Sequence, residues 1–532
     1  MRLRDDVRVE PLVGGWYAWS HLLAPATASR NLTHRHQRII DSYVAAPVVH
    51  QQAARSPSMA GGPFIDVAGD RAAEVAAMGA ERRRLRHDLV ELSAALDALA
   101  DLLAAAPAGT PLAPLYGDVP QALRGCVELT YDLRDRCGFR LIEPLLYERY
   151  YGGGADQALA LSIARSDHRP FALSTPRLAD DDVLIVPVPF HSRVVDALFD
   201  AARGPVAYDD VAAGLSLDGP DAHRLRELVT SAPRRRSAGA RPPAEGRSEV
   251  RVRYIGHACV LVETSAASIL LDPLLPDTFD GASPRFDVAD LPAHIDCALI
   301  THAHQDHLVL ETLLRLRHRL GTVVVPRAGT GQLQDPSPRL LLQHAGFPDV
   351  VELGELDDLT VAEGRARITA LPFLGEHGDL AIGAKASWCI EADGRRLLFA
   401  ADSTNLEPAL YAHLRQIVGE VDVLFLGMEC EGAPLTWLYG PLFQREPARA
   451  QAAMRRLAGS DDVQALALLD ALGCRQAYVY AMGHEPWVQF LTSTMFSSDA
   501  LPVRAAERFA EAGRRRGVAI ERLHGSCEIL VP

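Results

Sequence analysis

The segment Thr301-His302-Ala303-His304-Gln305-Asp306-His307 limits what this chain can be more tightly than any other. It follows directly on the apolar run Asp296-Cys297-Ala298-Leu299-Ile300, which reads as a buried strand, so its side chains stand at a strand end, where α/β sheets place their sites. Three imidazoles and a carboxylate in so short a stretch cannot be buried without a cation. Each neutral ring needs a hydrogen-bond partner, and the carboxylate would stay unpaired. Along an extended segment His302 and His304 project to one face. Asp306 and His307 follow as the chain turns into a helix and can serve a second ion, as in two-metal sites whose ions stand roughly 3.5–4 Å apart. The competing interpretation is a solvated histidine-rich turn, and the strand in front of it argues against that.

Around this segment the chain alternates strand and helix patterns. Strands are expected at 268–273, 296–304, 321–326, 366–373, 387–392, 396–403, 421–428 and 477–484, with helices near 307–318, 406–418, 446–457 and 501–516. The alternation predicts a layered α/β fold. Ahead of it, residues 231–249 combine Pro, Gly, Ser and clustered Arg with almost no apolar side chains and read as a linker. A chain of 532 residues exceeds what one core usually supports, roughly 250–300, so two domains are expected, 1–245 and 246–532. The first is read as mixed α/β. Residues 70–107 are rich in strong helix formers and carry a Leu/Ala stripe suited to core packing or a subunit interface, and 183–190 read as a buried strand. It contains no motif with a chemical mechanism.

Composition narrows the partners. A net charge of −14 argues against nucleic acid as the main partner, because phosphate backbones need compensating Lys and Arg. No window approaches 18 apolar residues, and the N-terminus has no apolar signal core, so no membrane segment is expected. The eight cysteines include no C-x-x-C pair, which argues against both a disulfide framework and a zinc ribbon. A cytoplasmic, reducing location is the expectation.

The segment 302–307 resembles the HxHxDH signature of the metallo-β-lactamase superfamily, and further landmarks follow in order. Tyr254-Ile255-Gly256-His257-Ala258 resembles that superfamily's opening strand and Leu271-Asp272-Pro273 its second. Asp402, after the strand LLFAAD, is similar to the carboxylate that bridges the two metals, and His484, after AYVYAMG, to the last histidine ligand. The resemblance implies an αββα sandwich over about 250–530. It departs from the usual pattern at Phe373-Leu374-Gly375-Glu376-His377-Gly378-Asp379-Leu380, where the hydrolases typically supply a histidine. After a strand of period two, only one of Glu376 and His377 should reach a metal. His377 would make the site zinc-hydrolase-like. Glu376 would give three carboxylates with Asp306 and Asp402, a harder set that favours iron or manganese over zinc.

The chain as a whole resembles the diiron β-hydroxylase family of chloramphenicol biosynthesis. The resemblance is carried by the opening VEPLVGGWYAWSHLLAPATASRNLTHRHQRIIDSYV, by the length and by PFLGEHGD. It favours Glu376 and gives Glu376 and Asp402 the catalytic weight. It implies two irons, one held by His302, His304 and Glu376 and the other by Asp306, His307 and His484, with Asp402 between them. It also implies O2 as co-substrate, an external electron donor of unknown identity, and an N-terminal domain that dimerises and helps dock a carrier. The implied reaction is β-hydroxylation of an aminoacyl group, L-p-aminophenylalanine, held by phosphopantetheine on the carrier domain of a nonribosomal peptide synthetase. Two alternatives stand beside it: a dizinc hydrolase of an ester, thioester or lactone, and a carrier-binding scaffold with a structural metal site.

Other polar residues carry weaker expectations. His257 and His524 are read as structural histidines near the site, and His34, His36 and His50 as surface or core residues. Glu429, Cys430 and Glu431 close a strand on the metal side, where an acid can line the pocket or support a ligand histidine. Trp437 and Tyr439 are read as packing, with an aromatic pocket wall as the alternative.

Overall fold

The computed structural model describes residues 2–199, 208–232, 250–494 and 497–531. Most of the expected linker, from 233 to 249, lies outside them.

From Val250 onward two seven-stranded sheets face each other. The first runs in the order Val350–Leu353, Leu320–Pro326, Ile295–Leu299, Ser268–Leu271, Cys259–Glu263, Val250–Gly256, Cys527–Val531. The second runs Asp358–Val361, Ala366–Leu371, Ser387–Ala392, Arg395–Phe399, Val423–Gly427, Gln476–Tyr480, Ala519–Arg522. Alternation decides which residues meet between them. Val252, Tyr254, Val260, Ile269 and Leu299 of the first sheet pack on Ile368, Trp388, Leu397, Phe425 and Tyr480 of the second. The outer face of the second sheet (Leu398, Leu424, Leu426, Val479) is covered by helices Pro408–Val418, Asp462–Leu472 and Leu501–Arg516. That of the first (Ala298, Val323, Val325) is covered by Leu310–Leu316 and Pro338–His344. The layers are therefore αββα.

The strands read from the sequence are present, most of them a few residues shorter, because their last positions turn into site loops. Helix Leu501–Arg516 matches its expected span, while 446–457 yields only Arg449–Met454. The edge strands Val350–Leu353, Asp358–Val361 and Ala519–Arg522 were not expected. They are four residues each, too short for a period to show in the sequence.

The N-terminal region is mixed α/β, as expected. Its antiparallel sheet runs Trp16–Tyr17, Val7–Val13, Gln157–Ile163, Val183–Pro187. The helical stretch 70–107 is two helices, Ala72–Leu85 and His87–Ala105, because Arg86 leaves helical geometry (φ −115, ψ 41). Its guanidinium is drawn to Asp88, Asp156 and the Tyr150 carbonyl. Residues 20–54, for which no helix was expected, are almost wholly helical, with a π-helical stretch at Asn31–His36.

The two regions share one apolar cluster, in which Val9, Leu161 and Val186 meet Leu310, Leu313 and Val325. A buried ion network reinforces it. Arg169 bridges Glu10 (2.6 Å) and Glu311 (2.7 Å), and the Tyr17 hydroxyl donates to Glu311 (2.9 Å). Burial alone would raise the Glu10 carboxyl, but Arg177 and Arg169 hold it well below the usual range. Arg8 pairs with Asp277 (2.6 Å), and Arg317 reaches Asp196 and the carbonyls of Phe190 and Ser192. Among the described residues no helix is long and apolar enough to cross a membrane, and all eight cysteines are free.

Candidate metal centre

Parallel strands bring the site together. The loops after Ser268–Leu271, Ile295–Leu299, Arg395–Phe399, Val423–Gly427 and Gln476–Tyr480 leave the same end of the sandwich, and carry Asp272, His302–His307, Asp402, Glu429 and His484. The histidine loop is fixed from both sides. The Thr301 N–H and hydroxyl donate to Asp272 (2.7 and 2.6 Å), the Ala386 N–H donates to the Thr301 carbonyl (2.8 Å), and the Trp388 indole donates to the Ile300 carbonyl (3.0 Å).

Three overlapping groups of donors result, each with its donor atoms within 4.8 Å of one another: His302, His304 and Glu376; His302, His307 and Asp402; and His257, Asp306 and His307. Asp402 thus reaches both sides, with its carboxylate 4.0 Å from His302 Nε2 and 3.0 Å from His307 Nε2. Glu376 Oε1 lies 2.8 Å from His304 Nδ1, and Glu376 Oε2 lies 2.8 Å from His377 Nδ1. His377 is buried beside the cluster and belongs to none of the groups.

The donor set fits a cation. His302 Nε2 and Asp402 Oδ1 are buried without a hydrogen-bond partner, each a penalty of about 1–3 kcal/mol or more that metal binding would offset. The electrostatics point the same way. Burial would lower the His307 ring, but Asp402, Asp272 and Asp306 around it raise it well above the usual histidine range. Burial would raise Asp306, but His307 and His257 hold it at about 2. Burial, then Asp402, Asp306 and Glu376, push Glu429 well above the carboxylate range. Without a metal, protons must neutralise this cluster.

Backbone strain concentrates here. Asp272 (φ 36), His257 (φ 52), Glu376 (φ 64) and Ala401 (φ 47) all adopt left-handed geometry that L-residues avoid, a cost concentrated at positions that aim site groups. Gly427 is required by close approach: a Cβ there would stand 2.7 Å from the Ala401 carbonyl and 2.9 Å from Asp402 Oδ1.

Two site residues had no role in the sequence reading, and one expected ligand stands apart. His257, read as structural, sits within the cluster: its Nε2 is 3.1 Å from Asp306, and its Nδ1 accepts the Gly483 N–H (3.2 Å). Asp272 accepts from His307 Nδ1 (2.8 Å), an outer carboxylate that orients this ring, and only its place after a strand end hinted at it. His484 follows Gly483, half-buried, and is in none of the three groups; burial, then Arg522, lowers it to about 4. His524 is exposed, His36 stacks on Trp16 at 3.9 Å, His50 bonds Ser42, and His34 lies beside Thr33. From the N-terminal region Ser20 donates to the Ala303 carbonyl (2.6 Å), between two histidines of the signature.

Comparison with known proteins adds the following. Residues 2–233 match the diiron non-heme β-hydroxylase N-terminal domain, and 267–479 the β-lactamase superfamily domain. The chain is 40% identical over 526 residues, 98% of each protein, to the 4-amino-L-phenylalanyl-(CmlP-peptidyl-carrier-protein) 3-hydroxylase of Streptomyces venezuelae. It is similar along its whole length to the crystal structure of CmlA, a diiron β-hydroxylase from Streptomyces venezuelae, with a TM-score of 0.92, 39% identity, and coverage of 100% of this chain and 99% of that one. A metal-dependent hydrolase from Alkaliphilus metalliredigens is 29% identical over only 33% of this chain, 72% of its own length.

Proposed function

The chain belongs to the diiron non-heme β-hydroxylase family, and from that premise we propose that it hydroxylates the β-carbon of a 4-amino-L-phenylalanyl group held as a thioester on a peptidyl carrier protein. The observation that carries this reading is Glu376, which stands with His302 and His304 where the superfamily's hydrolases supply a histidine.

In this reading His302, His304 and Glu376 hold one iron, Asp306 and His307 hold the other, and Asp402 lies between them; His484, which stands outside the three donor groups, would join the second set by turning its ring toward Asp306 and His307. His257 is left out of the ligand set for a chemical reason. Its Nδ1 accepts a backbone hydrogen bond, so the neutral ring carries its hydrogen on Nε2 and donates it to Asp306, orienting that carboxylate. When bound, the two irons supply reductive activation of O2, using two electrons from an external donor. The chain's own part is to hold the substrate's β-carbon beside the carboxylate-rich face and to keep water out. The cavity of about 390 Å³ between the two regions, with Phe171, Trp437 and Phe443 as walls and Arg35 and Arg38 at the polar side, is lined by none of the donor residues and suits part of the phosphopantetheine arm. The N-terminal region serves as the dimer and carrier-docking domain, a reading supported by the exposed apolar Val44, Val48 and Val49. A hydrolytic reading would need His377 as a ligand and is not favoured.

The test is metal analysis of the purified full-length protein made in iron-rich medium. Two irons per chain are expected, with hydroxylation lost on their removal and restored by iron and not zinc. Two tightly bound zincs with full hydroxylation would contradict the proposal.

A further inference from the structure

We propose that Tyr439 is a positioning residue for the metal held by His302, His304 and Glu376, and that the turn carrying it ties this metal to the N-terminal region. The inference rests on the ligand assignment above.

His304 faces Glu376 through Nδ1 (2.8 Å) and Tyr439 through Nε2 (3.0 Å). With Nδ1 turned to the metal-binding side, Nε2 carries the hydrogen and donates it to the phenol oxygen. A metal-binding imidazole needs such an outer partner to fix its tautomer and ring plane, and here that partner is a buried phenol. Packing alone would not require the hydroxyl to meet a ligand histidine.

Tyr439 ends the short helix Thr436–Tyr439, which runs into the turn Gly440–Leu442. Seven residues cannot hold their own shape, and the structure shows what holds them. Arg35 donates to the carbonyls of Trp437 (2.7 Å) and Leu438 (2.9 Å), and Arg30 to that of Pro441 (3.1 Å). The Trp437 indole donates to the Gly61 carbonyl (2.9 Å). Both arginines are buried, and Arg35 lies in the π-helical stretch Asn31–His36, a geometry used sparingly and often at functional sites. His21 from the same region packs edge-on against Tyr439, with ring centroids 5.8 Å apart. The opening segment of the chain is thus one wall of the metal site. Arg35 and Trp437 also line the interdomain cavity, so whatever fills it presses on the turn that steadies His304.

The test uses full-length, metal-loaded wild type, Tyr439→Phe, Arg35→Met and His304→Ala. It follows release of each metal to a chelator and the visible spectrum after cobalt substitution. Tyr439→Phe keeps the ring and loses only the hydroxyl. One of its two metals should leave about 10–100-fold faster, with a shifted cobalt band, while the other metal and the far-ultraviolet circular dichroism stay unchanged. Arg35→Met should reproduce this one-metal effect from a distance, and His304→Ala should lack the same metal. Wild-type release and spectrum in Tyr439→Phe would overturn the role of Tyr439. Equal loosening of both metals in Arg35→Met would overturn the link to the N-terminal region. If His304→Ala kept both metals, the ligand assignment would fail, and the proposal with it.

Discussion

Glu376→His gives a folded protein that still binds metal and makes no hydroxylated product. The side chain is buried, sits at φ 64, and reaches His304 with one oxygen and His377 with the other. Histidine tolerates left-handed backbone better than most residues and supplies a donor, so folding and metal binding survive. The chemistry does not. A carboxylate can bind through one oxygen or two and brings a negative charge, whereas an imidazole offers a single neutral nitrogen. Loss of a mere outer partner of a metal ligand costs about 10–100-fold, and replacement of the ligand itself should cost more. His377→Ala is the contrast. That ring belongs to no donor group, so metal content should be near normal, with stability reduced by about 1.5–3 kcal/mol for a lost hydrogen bond to a charged group. Metal content and single-turnover product in the two variants decide the matter. Loss of a metal in His377→Ala, with full hydroxylation in a Glu376→Ala protein, would reverse the assignment.

Residues 246–532 expressed alone fail to fold into a soluble, metal-loaded domain. Removing the N-terminal region strips Arg169 and Tyr17 from Glu311, Arg8 from Asp277, and Asp196 with two carbonyls from Arg317. Breaking a buried ion pair by deleting one partner costs about 3–5 kcal/mol, and a domain's entire stability is about 5–15 kcal/mol. The apolar cluster around Leu310 and Leu313, directly after the metal loop, would be exposed as well. Any fragment that remained soluble should be monomeric. The checks are solubility, light scattering and thermal melting. A soluble fragment with the full-length protein's dimeric state, a cooperative melt and a full metal complement would refute both the coupling and the proposed dimer surface.

What the sequence made legible was local. The signature 302–307, Asp402 and the core strands announce themselves through spacing and period. The choice between Glu376 and His377 did not follow from strand period, because the strand ends at Leu371. Both residues lie in a turn shaped by left-handed Gly375, Glu376 and Gly378, and both are buried. At Gly375 a Cβ would strike the Thr404 side chain at 2.4 Å, so that turn has little freedom to differ. His257, Asp272 and Tyr439 were out of reach for another reason. Each acts on a partner between 35 and 135 positions away, through contacts that only the packed sandwich creates. The N-terminal wall was missed because Ser20, Arg30 and Arg35 form no motif; they matter through three carbonyl groups and a serine bond that no local pattern encodes.

The most direct measurement of the central claim is a single turnover of the reduced, full-length protein with a carrier protein bearing 4-amino-L-phenylalanine, under isotopically labelled O2, read by intact-protein mass spectrometry. The account predicts that the loaded carrier keeps its thioester and gains one oxygen atom, that this oxygen comes from O2, and that it sits on the β-carbon. Release of free amino acid with no labelled oxygen would contradict it and identify the site as hydrolytic.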